Sequence, residues 1–166
     1  MGIFIIAFVG IMIGLVLILL LKNTAPPPPR ERLGDDVKDD RPLFLTEKNE
    51  FKEKCLAFFS KFHLEYEHSV WAEDDELEVS LRDDTPVVGG LYLGLCVFEP
   101  KNNIIPGTMV TGFLDTVRGE GAAKGIMVTT GYFSDEARQI VKEEAIELVD
   151  VADFVKYLKK FEIYEQ

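Results

Sequence analysis

The chain has 166 residues, a net charge of −11 and 47% apolar residues, a length that holds one ordinary domain plus an appended segment. That acidity argues against a surface built to track phosphate backbones, since nucleic-acid affinity is mostly Lys and Arg displacing counterions. Cys55 and Cys96 both sit inside apolar runs, which excludes a disulfide framework and reads as buried thiols in a reducing compartment.

Residues 1–21 contain no charged side chain, and from Ile3 onward they are almost wholly aliphatic or aromatic. At about 1.5 Å per residue such a run crosses a hydrocarbon core of roughly 30 Å, and only a helix satisfies its own backbone there. The segment is expected to be a single transmembrane helix whose partner is the lipid bilayer. A cleaved signal peptide would need a basic start and a shorter apolar run. Lys22, Arg30 and Arg32 follow the helix and no basic side chain precedes it, which predicts an outside N-terminus and a cytoplasmic C-terminal domain. Gly10 and Gly14 make a spacing that lets another membrane helix pack closely. Residues 22–41 include the run Pro26 to Pro29 and carry five basic and five acidic side chains. They read as an extended spacer of up to roughly 60 Å, so the whole negative excess falls on residues 42–166.

In the domain, Thr46 followed by Asn49 and Glu50 resembles a capped helix start. Phe51, Cys55, Phe58, Phe59 and Phe62 then recur at helical spacing. Leu64 to Trp71 reads as a strand. Glu76 to Arg82 alternates, with Leu77, Val79 and Leu81 on one face and Glu76, Glu78 and Ser80 on the other. After a turn at residues 83–86, Val87 to Phe98 is apolar on both faces and predicts a central strand. A loop at 102–107 and a helix from Thr108 to about Arg118 come next. Gly125 to Thr130 is a short buried strand, and Ser134 caps a helix reaching Glu144. Ala145 to Val149 is a fifth strand, and Asp150 caps a last helix to Glu162. This order predicts an α/β sandwich with a mixed sheet, an antiparallel meander followed by β-α-β units.

The run Val128-Thr129-Thr130-Gly131-Tyr132-Phe133-Ser134-Asp135-Glu136-Ala137-Arg138, followed by Ile146-Glu147-Leu148-Val149-Asp150 and a helix, resembles the second half of the Mrr-type restriction endonuclease domain. That domain belongs to the PD-(D/E)xK nuclease-like superfamily. The resemblance covers roughly residues 46–160 and implies a restriction-endonuclease-like three-layer sandwich. Nuclease chemistry in that fold needs an acid on the second strand, then Glu or Gln, a spacer, and Lys on the third. Carboxylates there hold Mg²⁺ while the Lys helps orient or activate water. The family pattern puts the first acid at Glu78, with Asp74, Asp75 and Glu76 as alternatives if the register slips. It puts the pair on Leu95 and Val97, which can neither ligate a metal nor move a proton. Glu99-Pro100-Lys101 is a literal Glu-x-Lys, but Pro rarely sits inside a central strand, so the triplet reads as the strand's exit.

Other chemistry is weakly signalled. His63 and His68 straddle a helix-to-strand junction with no zinc-ligand spacing, Gly89-Gly90 reads as a bulge or bend within a strand, and Trp71 as core. Asp75 and Glu78 are the weak metal candidates, and neither a metal nor another cofactor is expected. The expectation is a membrane-anchored, catalytically inactive nuclease-like module whose partners are other membrane-protein subunits rather than nucleic acid. The alternative is a Mg²⁺-dependent endonuclease with a displaced site.

Overall fold

Alternation along one strand orients the whole sheet. The computed structural model describes residues 42–73, 75–87, 89–101 and 103–164. The expected membrane helix at 1–21 with Gly10 and Gly14, the spacer at 22–41, and Asp74 lie outside the described residues. Among the described residues no helix is long and apolar enough to cross a membrane.

Three strands, β1 (Glu65–Trp71), β2 (Glu76–Asp83) and β3 (Gly90–Val97), form the antiparallel meander. Two more, β5 (Lys124–Thr129) and β7 (Ile146–Val149), extend it by parallel pairing, giving the order β1-β2-β3-β5-β7. Four helices flank this sheet: α1 (Lys48–Ser60), α2 (Gly107–Gly119), α3 (Asp135–Ile140) and α4 (Val151–Lys160). Leu77, Val79 and Leu81 turn to one face and pack with Phe51, Cys55, Phe58 and Phe59 of α1 and Phe154 and Leu158 of α4. On the other face Leu95, Val97 and Met127 pack with Val110, Phe113, Leu114 and Val117 of α2 and Ala137 of α3. The sheet therefore lies between two helical layers, an α/β/α sandwich with a mixed sheet. Gly125 lets α2 rest on β5, because a Cβ there would meet Val117 at 2.8 Å and Phe113 at 2.9 Å. Cys55 and Cys96 are both fully buried. Burial, and then the neighbouring Cys96, push the Cys55 thiol well above its ordinary range.

The structure departs from the sequence-based expectation at element ends. Thr46 does not cap α1: Glu47 holds that place, and the Thr46 hydroxyl donates to the Leu43 carbonyl at 3.2 Å. This bond adds to the Thr46 N–H bond on the same carbonyl, which closes a 3-10 turn at Leu43–Leu45 that delivers Phe44 and Leu45 to the core. Phe62 lies beyond the helix and is 45% exposed, though its ring still meets Phe58 edge-on at 5.0 Å. The third strand begins at Gly90, not Val87, because Val87 is fully exposed with a φ of 78° in a turn closed by Gly89 N–H donating to Thr85. Within the expected loop at 102–107, β4 (Ile104–Ile105) pairs in parallel with β6 (Tyr132–Phe133). The helix from Ser134 ends at Ile140 and continues as a 3-10 turn, Val141–Glu143.

Two caps match their expectation. Ser134 Oγ accepts from Ala137 N–H at 3.1 Å, and Asp150 Oδ1 accepts from Asp153 N–H at 3.0 Å. Asp150 is fully buried, and its other oxygen receives Arg138 Nη2 of α3 at 2.5 Å. Losing one partner of such a pair strands the other, and losing the cap frees helix donors. Asp150→Ala should therefore lower the unfolding free energy by about 3 kcal/mol in urea titration, with Asp150→Asn costing less because it retains a capping oxygen. Equal loss in the two variants would remove the cap from the account.

Candidate functional site

Residues two apart on a strand share a face, and directly opposed residues of an antiparallel pair bring their Cβ atoms to about 5 Å. In the β2–β3 ladder Glu78 stands opposite Leu95, and Glu76 opposite Val97. The structure thus brings the second-strand acid and the two third-strand positions together on the face turned to α2. Leu95 and Val97 are 6% and 2% exposed and belong to the α2-side core. Asp75 precedes β2 in a bend, where its carbonyl accepts from Phe98 N–H at 2.8 Å. β3 ends at Val97, so Glu99-Pro100-Lys101 lies in the connection beyond it. Glu99 there accepts from Asn103 Nδ2 at 3.0 Å, and Lys101 is exposed.

This donor set does not fit the Mg²⁺ of the fold's nuclease members. Mg²⁺ takes oxygen ligands in a near-octahedral shell, and opposite the two glutamates β3 presents hydrocarbon. Among the described residues no group of three or more His, Cys, Asp or Glu is placed to share an ion.

The same face carries a groove of about 580 Å³ between α2 and the β1–β2 part of the sheet. Leu93, Leu95 and Phe113 give it an apolar floor, and Glu67, Glu76, Glu78 and Glu120 surround it. Arg82 is also in the lining and is bound by Glu67 at 2.5 Å. Burial pushes the Glu76 carboxyl above its ordinary pKa, and the charges of Glu73 and Glu78 add to the shift. His68 faces Ser80 at 3.4 Å on the exposed side of β1, and His63 lies in the turn after α1 with a φ of 60°. Of the groove's lining, Glu76, Glu78, Leu95 and His68 were singled out from the sequence. Glu67 and Glu120 come from the edge strand and from the turn after α2, and only the fold sets them beside β2.

The residues that carry the family resemblance are structural. Thr129 Oγ1 accepts from Gly131 N–H at 2.9 Å, and Thr130 Oγ1 accepts from Glu99 N–H at 2.6 Å. Gly131 has no room for a side chain, since a Cβ would lie 2.3 Å from the Asn103 carbonyl oxygen. Ser134 and Asp150 cap helices, and Arg138 binds Asp150.

A family model described as restriction endonuclease, the Mrr-type catalytic domain, matches residues 46–158. That is more than half of the chain, and the chain belongs to this family. Among solved structures, the DNA modification-dependent restriction endonuclease AspBHI superposes with a TM-score of 0.52 at 17% identity, over 74% of this chain and 34% of that one. The MspJI restriction endonuclease, in complex with a 27-mer oligonucleotide, gives 0.48 at 13% identity, over 74% of this chain and 29% of that one. This chain spans about a third of the length of each, and the AspBHI likeness shows the fold. No curated protein matches the sequence.

A carboxyl whose pKa is raised by folding binds more protons folded than unfolded, so stability falls as pH rises through the interval between its unfolded and folded values. The cost of Glu76 is complete above the folded value and absent below the ordinary carboxylate range. Glu76→Gln should raise Tm at neutral pH, with the gain shrinking as the pH falls through the raised range of the folded carboxyl and gone below about 4. A gain independent of pH, or a lower Tm at neutral pH, would contradict this electrostatic account.

Proposed function

We propose that this Mrr-type domain does not cleave DNA and acts as a binding or scaffold module or as an accessory subunit of a membrane complex, tethered through residues 1–21. The observation that supports it is the cross-strand register: Glu78 faces Leu95 and Glu76 faces Val97. An apolar wall stands where the resemblance requires a metal ligand and a Lys. Charge points the same way, because an excess of −11 opposes the counterion release that drives DNA binding. The tether reading rests on the uncharged run at 1–21, and the basic residues after it support a cytoplasmic side for the domain. The literal Glu99-Pro100-Lys101 lies beyond the end of β3, with Glu99 accepting from Asn103 Nδ2.

Purified full-length chain should leave methylated and unmethylated plasmid intact with Mg²⁺ or Mn²⁺. Cleavage that disappears in Glu78→Ala or Lys101→Ala would establish the endonuclease reading instead. In cells the chain should stay in the pellet after alkaline carbonate extraction, and protease added outside should spare residues 42–166. Release by carbonate would defeat the tether while leaving the non-cleaving assignment standing.

A further inference from the structure

One helical layer of the sandwich is incomplete. The α2–α3 layer covers β3, β5 and β7, and no residue of β1 or β2 belongs to the core on that face. All three buried apolar side chains of β2 point to the other layer. The groove beside α2 is therefore an unpartnered sheet face with an apolar floor. Val70 on β1 opens onto it at 51% exposure, and half-buried Leu93 and Met109 complete an apolar strip. Its charged rim is net acidic, with four glutamates against one arginine. Arg82, the one Lys or Arg in the lining, is already held by Glu67. Among the described residues Glu76, Glu78 and Glu120 make no ion pair.

We propose that this groove docks a cationic, apolar-anchored peptide segment of a partner protein. The proposal rests on the non-cleaving reading, since the groove occupies the face where nuclease chemistry would lie. Apolar side chains of the segment fill the strip of Val70, Leu93 and Met109, while Lys or Arg side chains reach the three glutamates. Such pairing gives orientation and on-rate as well as affinity, and it rejects acidic segments and nucleic acid by repulsion. The eight residues of β2 span about 25 Å, the length of roughly 16 helical residues.

The test uses the full-length chain in detergent and a labelled peptide of about 16 residues, Lys and Leu patterned to give one apolar helix face. Fluorescence anisotropy should show saturable binding, and the same peptide with Glu in place of Lys should not bind. Glu78→Lys and Glu120→Lys, both at exposed positions, should each raise Kd by about tenfold or more, and Glu78→Gln by less. Glu143→Lys, exposed in the turn after α3 and outside the groove, should change Kd less than about twofold. No binding, or equal loss in Glu143→Lys, overturns the proposal. Binding that appears only after deletion of residues 26–40 would make that segment the occupant and also overturn it. Self-association abolished by Glu78→Lys would assign the groove to a second copy and overturn it as well. Plasmid cleavage is assayed on the same preparation. Cleavage would defeat the non-cleaving reading, whereas absence of both cleavage and binding defeats the docking proposal alone.

Discussion

The layers are held in register by one junction, where the three parallel strands leave the sheet. Asp150 ends β7, caps α4 on one face and receives Arg138 from α3 on the other, while being fully buried. A buried carboxylate persists only if its oxygens are satisfied, so both helices must arrive together. The ends of β3 and β5 are tied to the same place. Glu99 N–H bonds Thr130 Oγ1, Thr130 N–H bonds the Val97 carbonyl, and Val151 N–H bonds the Gly131 carbonyl. Tyr132 N–H adds the Asn103 carbonyl, which brings in the small β4–β6 pair. Apolar packing drives the layers together without direction, and these hydrogen bonds decide how they sit.

That division explains what the sequence could disclose. Alternation in β2 and helical spacing from Phe51 to Phe59 are periodic signals repeated over two or more turns, and they located the elements and their inner faces. Ser134 and Asp150 were legible as caps because a short polar side chain before two acids or an apolar run has a local meaning. Element ends were not legible where a tertiary demand overrode a local preference. Thr46 had the chemistry of a cap, but burying Phe44 and Leu45 required a tight turn that claimed its hydroxyl. β4 and β6 have two residues each, too few for any period to show. The groove was half legible: two of its four glutamates lie on β2, and the others come from an edge strand and a turn far apart in the chain.

Fold and chemistry occupy separate residues. The recognisable family residues, from Thr129 through Arg138 to Asp150, hold strand ends and helix starts and lie on the β5–β7 side. The positions that would carry catalysis lie on β2 and β3. Leu95 and Val97 stand at those on β3, and their side chains take part in none of the hydrogen bonds of the junction. Both add apolar side chains to a core that already holds Met127, Val110 and Phe113. A polar group at either place would need a partner, or cost roughly 1–3 kcal/mol in this setting. The residues that keep the fold and those at the catalytic positions are therefore separate sets, and the proposed loss of the reaction needs no change in the first.

The acidic side of the groove does not follow the same logic, and that asymmetry bears on function. Glu76 stands half-buried beside Glu73 and Glu78, and burial and repulsion together oppose its ionisation. Nothing in the folding of β2 calls for this, since the strand's core contacts come from Leu77, Val79 and Leu81 on the opposite face. Ser80 on the same face shows that a neutral side chain sits there without disturbing the ladder. Clustered like charges at a concave surface are an unfavourable feature of the free domain that a complementary ligand removes. Under the proposed docking, a Lys or Arg between Glu76 and Glu78 would turn that repulsion into attraction and lower the Glu76 pKa. The free energy withheld from folding would then appear in binding, where it selects for positive charge.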